Sequence, residues 1–537
     1  MNKFGASVLI AFLAVLLFSH CAKKGSPSGG PKDTIPPIIL KSNPENYTTN
    51  FDGKEIRVYF DEFIKLNDLQ QSLVVSPPLK YQPIVTPVVS AKVLKVKIQD
   101  TLKENTTYVF NFGRSIVDNN EANEYDYFKY VFSTGDYIDS LKVRGSIKES
   151  LLPELEAKTT VMLYAVNDDY TDSIVFKEKP FYVSSTREGS DAFELTNIKE
   201  GKYLLVAIQE ENNDYQFNPS TDKFAFHPEM ITVPLDTSFT LTLFKEVPQF
   251  SLGRASHVKK NRIVFGYEGL LDSLQIEPLF KLPEGYETRI IKDPAKDSLN
   301  YWFKPSFDIE LQDTLQFVTK YAKELDTVTV RLRDLYPDSL EIKKLDKGVI
   351  IPRDSLKFSA STPIESFQAD SIQILDKDSL IVAKELFLDR ENNEISIAFN
   401  IKEEQIYRLT ALPGAFKDFY NNVSDTLQFT YRTLPISDYG TLQFRLEGLI
   451  EFPLVVELVD DKYKVIASQF LSENESVFFD YLEPNNYFLR LIFDSNGNKQ
   501  WDAGNFLKKI QPEKVVYYPT PIEIRAYWSV NETFIFE

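Results

Sequence analysis

One stretch of the chain carries side chains of a type and spacing that could hold a metal ion. Asp494-Ser495-Asn496-Gly497-Asn498-Lys499-Gln500-Trp501-Asp502-Ala503-Gly504-Asn505 sets oxygen-bearing side chains at alternate positions. That spacing turns Asp494, Asn496, Asn498 and Asp502 toward one centre, as in calcium loops, where about six to eight hard oxygens surround the ion. The loop departs from the EF-hand type: Gly497 comes early, and Asn505 stands where a bidentate Glu is expected. Two nearby carboxylates would make any calcium site weak, in the ~10⁻⁴–10⁻³ M class. The competing reading is a turn held by Asx-type hydrogen bonds, which Asp, Asn and Gly make readily, with Trp501 packing as the loop's apolar anchor. A sister stretch, Glu210, Asn212, Asp214 and Asp222, offers a poorer ligand set.

The second chemically distinctive residue is Cys21, the single cysteine of the chain. Lys3 precedes an apolar run from Ala6 to Phe18, long enough for the core of an export signal and short of the ~18 residues that span a bilayer. A lone thiol directly after such a run resembles a bacterial lipoprotein signal, in which the cysteine is acylated and the chain is cut before it. That resemblance implies a signal peptide over 1–20 and an acyl lipid on Cys21. His20 departs from the small residue the motif places before the cysteine. Several acyl chains, at ~0.8 kcal/mol per buried CH₂, would make the attachment stable. Residues 21–33, rich in Gly, Ser and Pro, read as a lipidated flexible tether, with Lys23 and Lys24 placed to meet anionic headgroups. No acidic run follows Cys21, the feature associated with surface-exposed lipoproteins of Bacteroidota. This favours the periplasmic face of the outer membrane while leaving the face open.

Other chemistry is thinly represented. With one cysteine there is no intramolecular disulfide, so the domains rest on their cores. The chain holds three histidines. His20 lies in the signal, and His227 and His257 read as structural, which leaves no basis for a Cys/His pair, a Ser/His/Asp triad or a His-rich zinc site. A net charge of −18 disfavours nucleic acid as a partner, and neither a basic patch nor a phosphate-cradling glycine loop is present.

The elements that must position these residues are strands. Phe, Tyr and β-branched residues are abundant, and Gly and Pro punctuate the chain at short intervals, as in all-β, multi-module proteins. Over 34–138 the order Ile56-Arg57-Val58-Tyr59-Phe60-Asp61-Glu62, Val74-Val75-Ser76-Pro77-Pro78, Leu94-Lys95-Val96-Lys97-Ile98, Thr107-Tyr108-Val109-Phe110-Asn111-Phe112-Gly113, a turn at Ile116-Val117-Asp118-Asn119-Asn120, and Phe132-Ser133-Thr134-Gly135 suggests an Ig-like sandwich. These motifs resemble the bacterial Ig-like domain of the S-layer type. With the Gly29-Gly30-Pro31-Lys32-Asp33 lead-in, the chain is similar to Ig-like-domain lipoproteins of Bacteroidota, a resemblance that implies fold and location and no catalysis. In 141–245, Phe193 to Ile198 followed by Gly201 to Ile208 reads as a hairpin-like pair and resembles the transthyretin-like sandwich that accompanies carboxypeptidases as a regulatory domain. Residues 246–347 read as a β-sandwich of unassigned type, with a boundary near 343–348.

The chain then repeats itself. Leu356 to Ile364 echoes Ile56 to Ile64, so 349–436 reads as a second Ig-like domain. In 438–537, Tyr487 to Asp502 aligns without a gap on Tyr203 to Asn218, which makes this a second transthyretin-like sandwich and points to duplication of a two-domain unit. The expected fold is all-β, with tandem Ig-like and transthyretin-like β-sandwich domains after a lipoprotein signal peptide. The expected function is a non-catalytic outer-membrane lipoprotein that scaffolds outer-membrane protein partners, in its specific form an accessory subunit of an outer-membrane protein assembly or export machine. Its sheet edges would offer docking sites. Two rivals stand beside it. A surface adhesin or glycan-binding protein would need an exposed aromatic patch. A hydrolase would need two carboxylates facing each other across a cleft, ~5–10 Å apart for glycosides.

Overall fold

Strict alternation of apolar and polar residues makes half-buried strands, and their facing apolar sides make sandwiches. The computed structural model describes residues 32–537 apart from 188, 211, 213, 272, 309, 311, 449, 450 and 537. The signal over 1–20, Cys21 and the tether as far as residue 31 lie outside the described residues. By internal contacts the described residues form two units, one of residues up to 141 together with 196–199, the other of residues 142–195 and from 200 onward. The architecture is tandem small β-sandwiches, with helical turns of four residues or fewer such as Leu69–Ser72 and Ile174–Lys177. Among the described residues no helix is long and apolar enough to cross a membrane.

In the first unit, Ile39–Asn43, Glu55–Leu66, Ala91–Lys97 and Ile84–Thr86 lie side by side in that order, and Ile116–Asp118 joins Glu55–Leu66. Val74–Ser76, Thr107–Asn111 and Lys129–Ser133 form the other sheet. Ile56, Val58, Phe60, Leu94 and Val96 pack in one core with Tyr108, Phe110 and Phe132. The segment expected as a turn, 116–120, is first a strand: Ile64 pairs with Asp118 and Leu66 with Ile116. The turn follows, wrapped around the Asp118 carboxylate, which accepts the amides of Asn120, Glu121, Ala122 and Asn123 at 2.7–3.0 Å.

The second unit holds four sandwiches. In the first of them, Tyr182–Ser185, Thr160–Ala165, Gly201–Gln209 and Lys223–Phe226 make one sheet, with Ile231–Val233 also on Gly201–Gln209. Ala192–Ile198, Leu141–Glu149 and Ser238–Leu243 make the other. This corrects the hairpin expected from 193–198 and 201–208, because the two strands go to different sheets. The reason lies in their patterns. Ala192–Ile198 alternates exposed and buried residues, whereas Tyr203 to Ile208 are buried without interruption, as a central strand requires. Asn197, near the end of the first of these strands, takes φ +60°.

The next sandwich has four strands over three: Ser251–Lys259, Arg262–Glu268, Ser298–Lys304 and Glu287–Lys292, then Gln275–Pro278, Thr314–Tyr321 and Glu324–Arg331. His257 is buried here; its Nδ1 accepts the Arg333 amide at 3.0 Å, and burial depresses its pKa. Ile342–Lys344 already pairs with Leu356–Ala360 of the following sandwich, so the change of core falls before the boundary expected near 343–348.

The repeats are visible in register. Ile364 pairs with Asp418 just as Ile64 pairs with Asp118. The Tyr108 hydroxyl accepts the Lys103 amide at 2.9 Å, and the Tyr407 hydroxyl accepts the Lys402 amide at 2.8 Å. Thr134 and Thr433 donate their hydroxyls to the carbonyls of those same lysines, each at 2.7 Å. The last sandwich copies the topology of the one containing Gly201–Gln209. Val465–Leu471, Leu454–Val459, Asn485–Phe493 and Val515–Tyr517 form one sheet, with Ile522–Ile524 on Asn485–Phe493, and Val477–Leu482, Gly440–Gly448 and Ser529–Phe536 form the other. In both copies the final strand runs parallel to the first, Leu241 opposite Ile147 and Phe534 opposite Leu446.

Candidate functional site: the Asp494 loop and the Phe506 clasp

The loop singled out by its oxygen spacing follows the central strand Asn485–Phe493. Asp494 is fully buried, and its carboxylate accepts three backbone amides: Gly497 at 2.8 Å, Asn498 at 3.1 Å and Lys499 at 2.8 Å. Gly497 and Lys499 both take positive φ to allow this wrap. Asn496 and Asn498 turn their amide NH₂ groups onto Asp502 Oδ2, while their own oxygens accept the amides of Asn498 and Gln500. Asp494 and Asp502 thus serve different partners. Each of the four expected ligands has an oxygen engaged by N–H donors, which is the arrangement of a nested Asx turn. Glu513 closes the base of the loop, taking the Ser495 amide and hydroxyl on one oxygen and the Asp502 amide on the other. Trp501 donates its indole N–H to the Glu513 carbonyl at 3.2 Å.

The sister stretch turns in a similar way with a longer side chain. Glu210 accepts the amides of Asp214 and Tyr215 at 3.0–3.2 Å. Burial, aided by the neighbouring Asp214, pushes the Glu210 carboxyl up to about 7. Asp222 is spent separately on the Asn218 amide at 2.8 Å.

Beyond Asp502 the loop performs a task the spacing did not announce. Asn505 and Ile510 exchange backbone hydrogen bonds at 2.7 and 2.9 Å, closing a short finger that carries Phe506. Phe506 is wholly buried, but among residues of the sandwich that contains Gly201–Gln209. Its ring lies 5.2 Å from Phe224, 5.3 Å from Phe226 and 6.4 Å from Phe176. The buried Glu246 carboxylate accepts Asn505 Nδ2 at 2.7 Å and the Phe506 amide at 3.3 Å, and burial raises its pKa. Lys509 pairs with Asp172 at 2.7 Å, and Gln511 donates to the Phe226 carbonyl at 3.0 Å. Gly504 must be glycine, since a Cβ there would stand 2.6 Å from the Phe244 ring and 2.8 Å from the Ile510 carbonyl. A second contact joins the same two sandwiches. Arg490, paired with Glu457 at 2.7 Å, donates to the Leu151 carbonyl, as does the Tyr517 hydroxyl. The Asp494 turn is the stem of a clasp.

Another joint uses the repeated aspartate turn. Asp418 accepts the amides of Tyr420 and Asn422 and so presents Phe419 and Tyr420 where the first unit's turn carries Asn119 and Asn120. Phe419 packs with Trp302 and Ile291. Lys304 Nζ sits 4.3 Å from the Phe419 ring and donates to its carbonyl, while Arg289 covers the ring and reaches Glu365 at 3.1 Å. The Tyr420 hydroxyl donates to the Asn261 carbonyl at 2.9 Å.

Residues 33–134 match the bacterial Ig-like domain family. That span coincides with the sandwich of the first unit. No curated protein matches the chain. Among solved structures, domains 1–6 of surface layer protein SbsC are similar at 13% identity, covering 91% of this chain and 67% of that one, with a TM-score of 0.17. The major pilin subunit of Bacillus cereus is similar at 9% identity, covering 74% and 99%, with a TM-score of 0.14. The BSP domain of a biofilm associated protein is similar at 7% identity, covering 88% and 95%, with a TM-score of 0.15.

Two observations bear on the rival readings. A cavity of about 390 Å³ on the Ig-like domain, beside Tyr125 and Tyr127, has Asp126 as its only carboxylate, so no facing pair lines it. Among the described residues many aromatic side chains are core and few are exposed. An exposed neighbouring pair is Tyr527 and Trp528, with the Arg525 guanidinium 4.8 Å from the indole. The clasp itself was missed in the sequence. Its signal is an apolar pair, Phe506-Leu507, set in an otherwise polar loop.

Proposed function

We propose that this protein is a non-catalytic outer-membrane lipoprotein, anchored through Cys21, that scaffolds partner proteins of the cell envelope, in its specific form an accessory subunit of an outer-membrane protein assembly or export machine. The observation that carries this reading is the Phe506 clasp. Together with the Trp302–Phe419 joint, it spends buried aromatic side chains on holding one sandwich to another. A string of independent binding beads has no need of this expenditure, whereas a scaffold that presents surfaces at fixed spacing does. In this reading the Asp494 loop is the clasp's stem and works without calcium. The anchor is tested by labelling cells with a radioactive fatty acid: label should appear on the wild-type protein and vanish with Cys21→Ser. Fatty-acid label retained on the Cys21→Ser variant would contradict it.

The adhesin reading draws on the exposed Tyr527–Trp528 pair beside Arg525, the kind of aromatic and cationic surface that stacks on sugar rings. Glycan binding by the purified chain that disappears with Trp528→Ala would favour it over the scaffold.

A further inference from the structure

The chain enters the Ig-like domain at the end of the sheet where a bare apolar hairpin tip stands. In the register of the sheet, Ile39 lies opposite Phe60 and Ala91 opposite Ile64, so the first strand and the strand Ala91–Lys97 both begin at one end of Glu55–Leu66. Asp61 ties these starts together. Its carboxylate accepts the Ile38 amide at 2.8 Å, its amide donates to the Ile38 carbonyl at 3.1 Å, and its carbonyl accepts Lys92 Nζ at 2.6 Å. The hairpin of Ile84–Thr86 with Ala91–Lys97 closes through Pro87-Val88-Val89-Ser90 at that same end.

Val88 is 90% exposed and Val89 80%, more than any other large aliphatic side chain among the described residues. Phe63 (52%), with Lys92 Nζ 5.6 Å from its ring, and Ile35 (62%) add to the same end. Apolar side chains gathered at one end and held this far into water make a surface suited to contact with a protein or a membrane. Cys21 precedes Lys32 by eleven positions, so at ~3.6 Å per residue it lies within ~40 Å of this end however the intervening chain runs.

We propose that the Val88–Val89 tip, with Phe63 and Ile35, inserts into the lipid surface to which Cys21 is anchored and sets the orientation of the Ig-like domain on it. The inference rests on the lipoprotein reading for which membrane is met. The chemistry of the end selects the mode of contact. Asp118, Asp61, Asp33 and Glu121 all lie close enough to act on the Glu62 carboxylate, and these acidic groups outnumber Lys65 and Lys92 at this end. The contact is therefore apolar insertion into the interface rather than electrostatic attraction to anionic headgroups.

The test uses residues 22–537, which keep every described residue and lack the acylation site, so its outcome is separate from that of the fatty-acid labelling. Val88→Cys gives this chain its only thiol, for an environment-sensitive fluorophore. With phosphatidylcholine–phosphatidylethanolamine vesicles, the label should shift to the blue, and unlabelled protein should co-sediment with the vesicles. Binding should hold between 0.1 and 0.5 M salt and fall at least tenfold in Val88→Ser/Val89→Ser, whose melting temperature should match wild type. No binding by the unlabelled parent chain would overturn the proposal. So would binding that needs phosphatidylglycerol, binding that survives the double substitution, or a blue shift that follows protein concentration without vesicles, which would make a second copy the occupant.

Discussion

Removing the Phe506 ring should release the clasp while leaving both sandwiches folded. The ring is fully buried and lies within 6.4 Å, centroid to centroid, of three phenylalanines of the other sandwich. Truncating a buried Phe to Ala costs about 3–5 kcal/mol. The docked arrangement therefore loses about two to almost four powers of ten in its equilibrium constant. The ion pair at the finger cannot restore this. Lys509 and Asp172 are each more than a third exposed, and such pairs contribute about 0–1 kcal/mol. Two readouts follow the clasp directly. A zero-length carbodiimide cross-link should form between Lys509 and Asp172 in wild type and drop steeply in Phe506→Ala. The amides of Asn505 and Ile510, protected by their mutual bonds, should exchange faster in the variant, while the core strands Thr160–Ala165 and Leu454–Val459 keep wild-type protection. Unchanged cross-linking and unchanged exchange in Phe506→Ala would refute the clasp as the element that holds these sandwiches together.

Other expectations follow from the turns. Asp118→Asn should cost about 1–3 kcal/mol in chemical denaturation, because its carboxylate takes four backbone amides that an amide oxygen cannot all satisfy. Burial raises the Asp118 pKa, but those four donors outweigh it and leave the pKa lowered. The stability it supplies is therefore present above the ordinary aspartate pKa and is lost as pH falls through the lower folded value; Asp118→Asn should flatten that acid limb. Glu210 behaves in the opposite sense. With its carboxyl moved from 4.5 to about 7, stability should decline as pH rises through that interval, by about 1–2 kcal/mol once its partial exposure is discounted. Glu210→Gln should remove the decline, seen as melting temperatures that no longer separate between pH 5 and 8. Calcium at about 10 mM, close to saturating for the ~10⁻⁴–10⁻³ M class of site the sequence suggests, should leave the melting temperature and the exchange of the 497–499 amides unchanged; a higher melting temperature with slower exchange would restore the metal reading of Asp494, Asn496, Asn498 and Asp502.

The repeats were legible because they rest on side chains that a sandwich needs at fixed places. Ile64 and Ile364 face Asp118 and Asp418, and Tyr108 and Tyr407 cap the same lysine amides. The false hairpin at 193–208 shows where local pattern stops informing. Two strands separated by Lys199-Glu200 are as short a connection as a hairpin, and only the uninterrupted burial of Tyr203–Ile208 sends the second strand to the centre of another sheet. The Asp494 loop is legible by its oxygens, and of the two readings its spacing allows, a metal loop and an Asx-held turn, its hydrogen bonds are those of the turn. Alternate spacing in a chain with positive φ at Gly497 and Lys499 points side chains at backbone amides rather than at a common centre. Phe506 escaped notice because its partners, Phe224, Phe226 and Glu246, lie over 250 residues earlier, a separation that no local pattern spans.

The scaffold claim is tested most directly by purifying the tagged protein from gently detergent-solubilised membranes, with Cys21→Ser and Phe506→Ala in parallel. The account predicts stoichiometric co-purification of outer-membrane proteins with wild type, loss of that complex with Cys21→Ser, and a weakened complex with Phe506→Ala. A wild-type protein that is lipidated and yet comes out alone would contradict it.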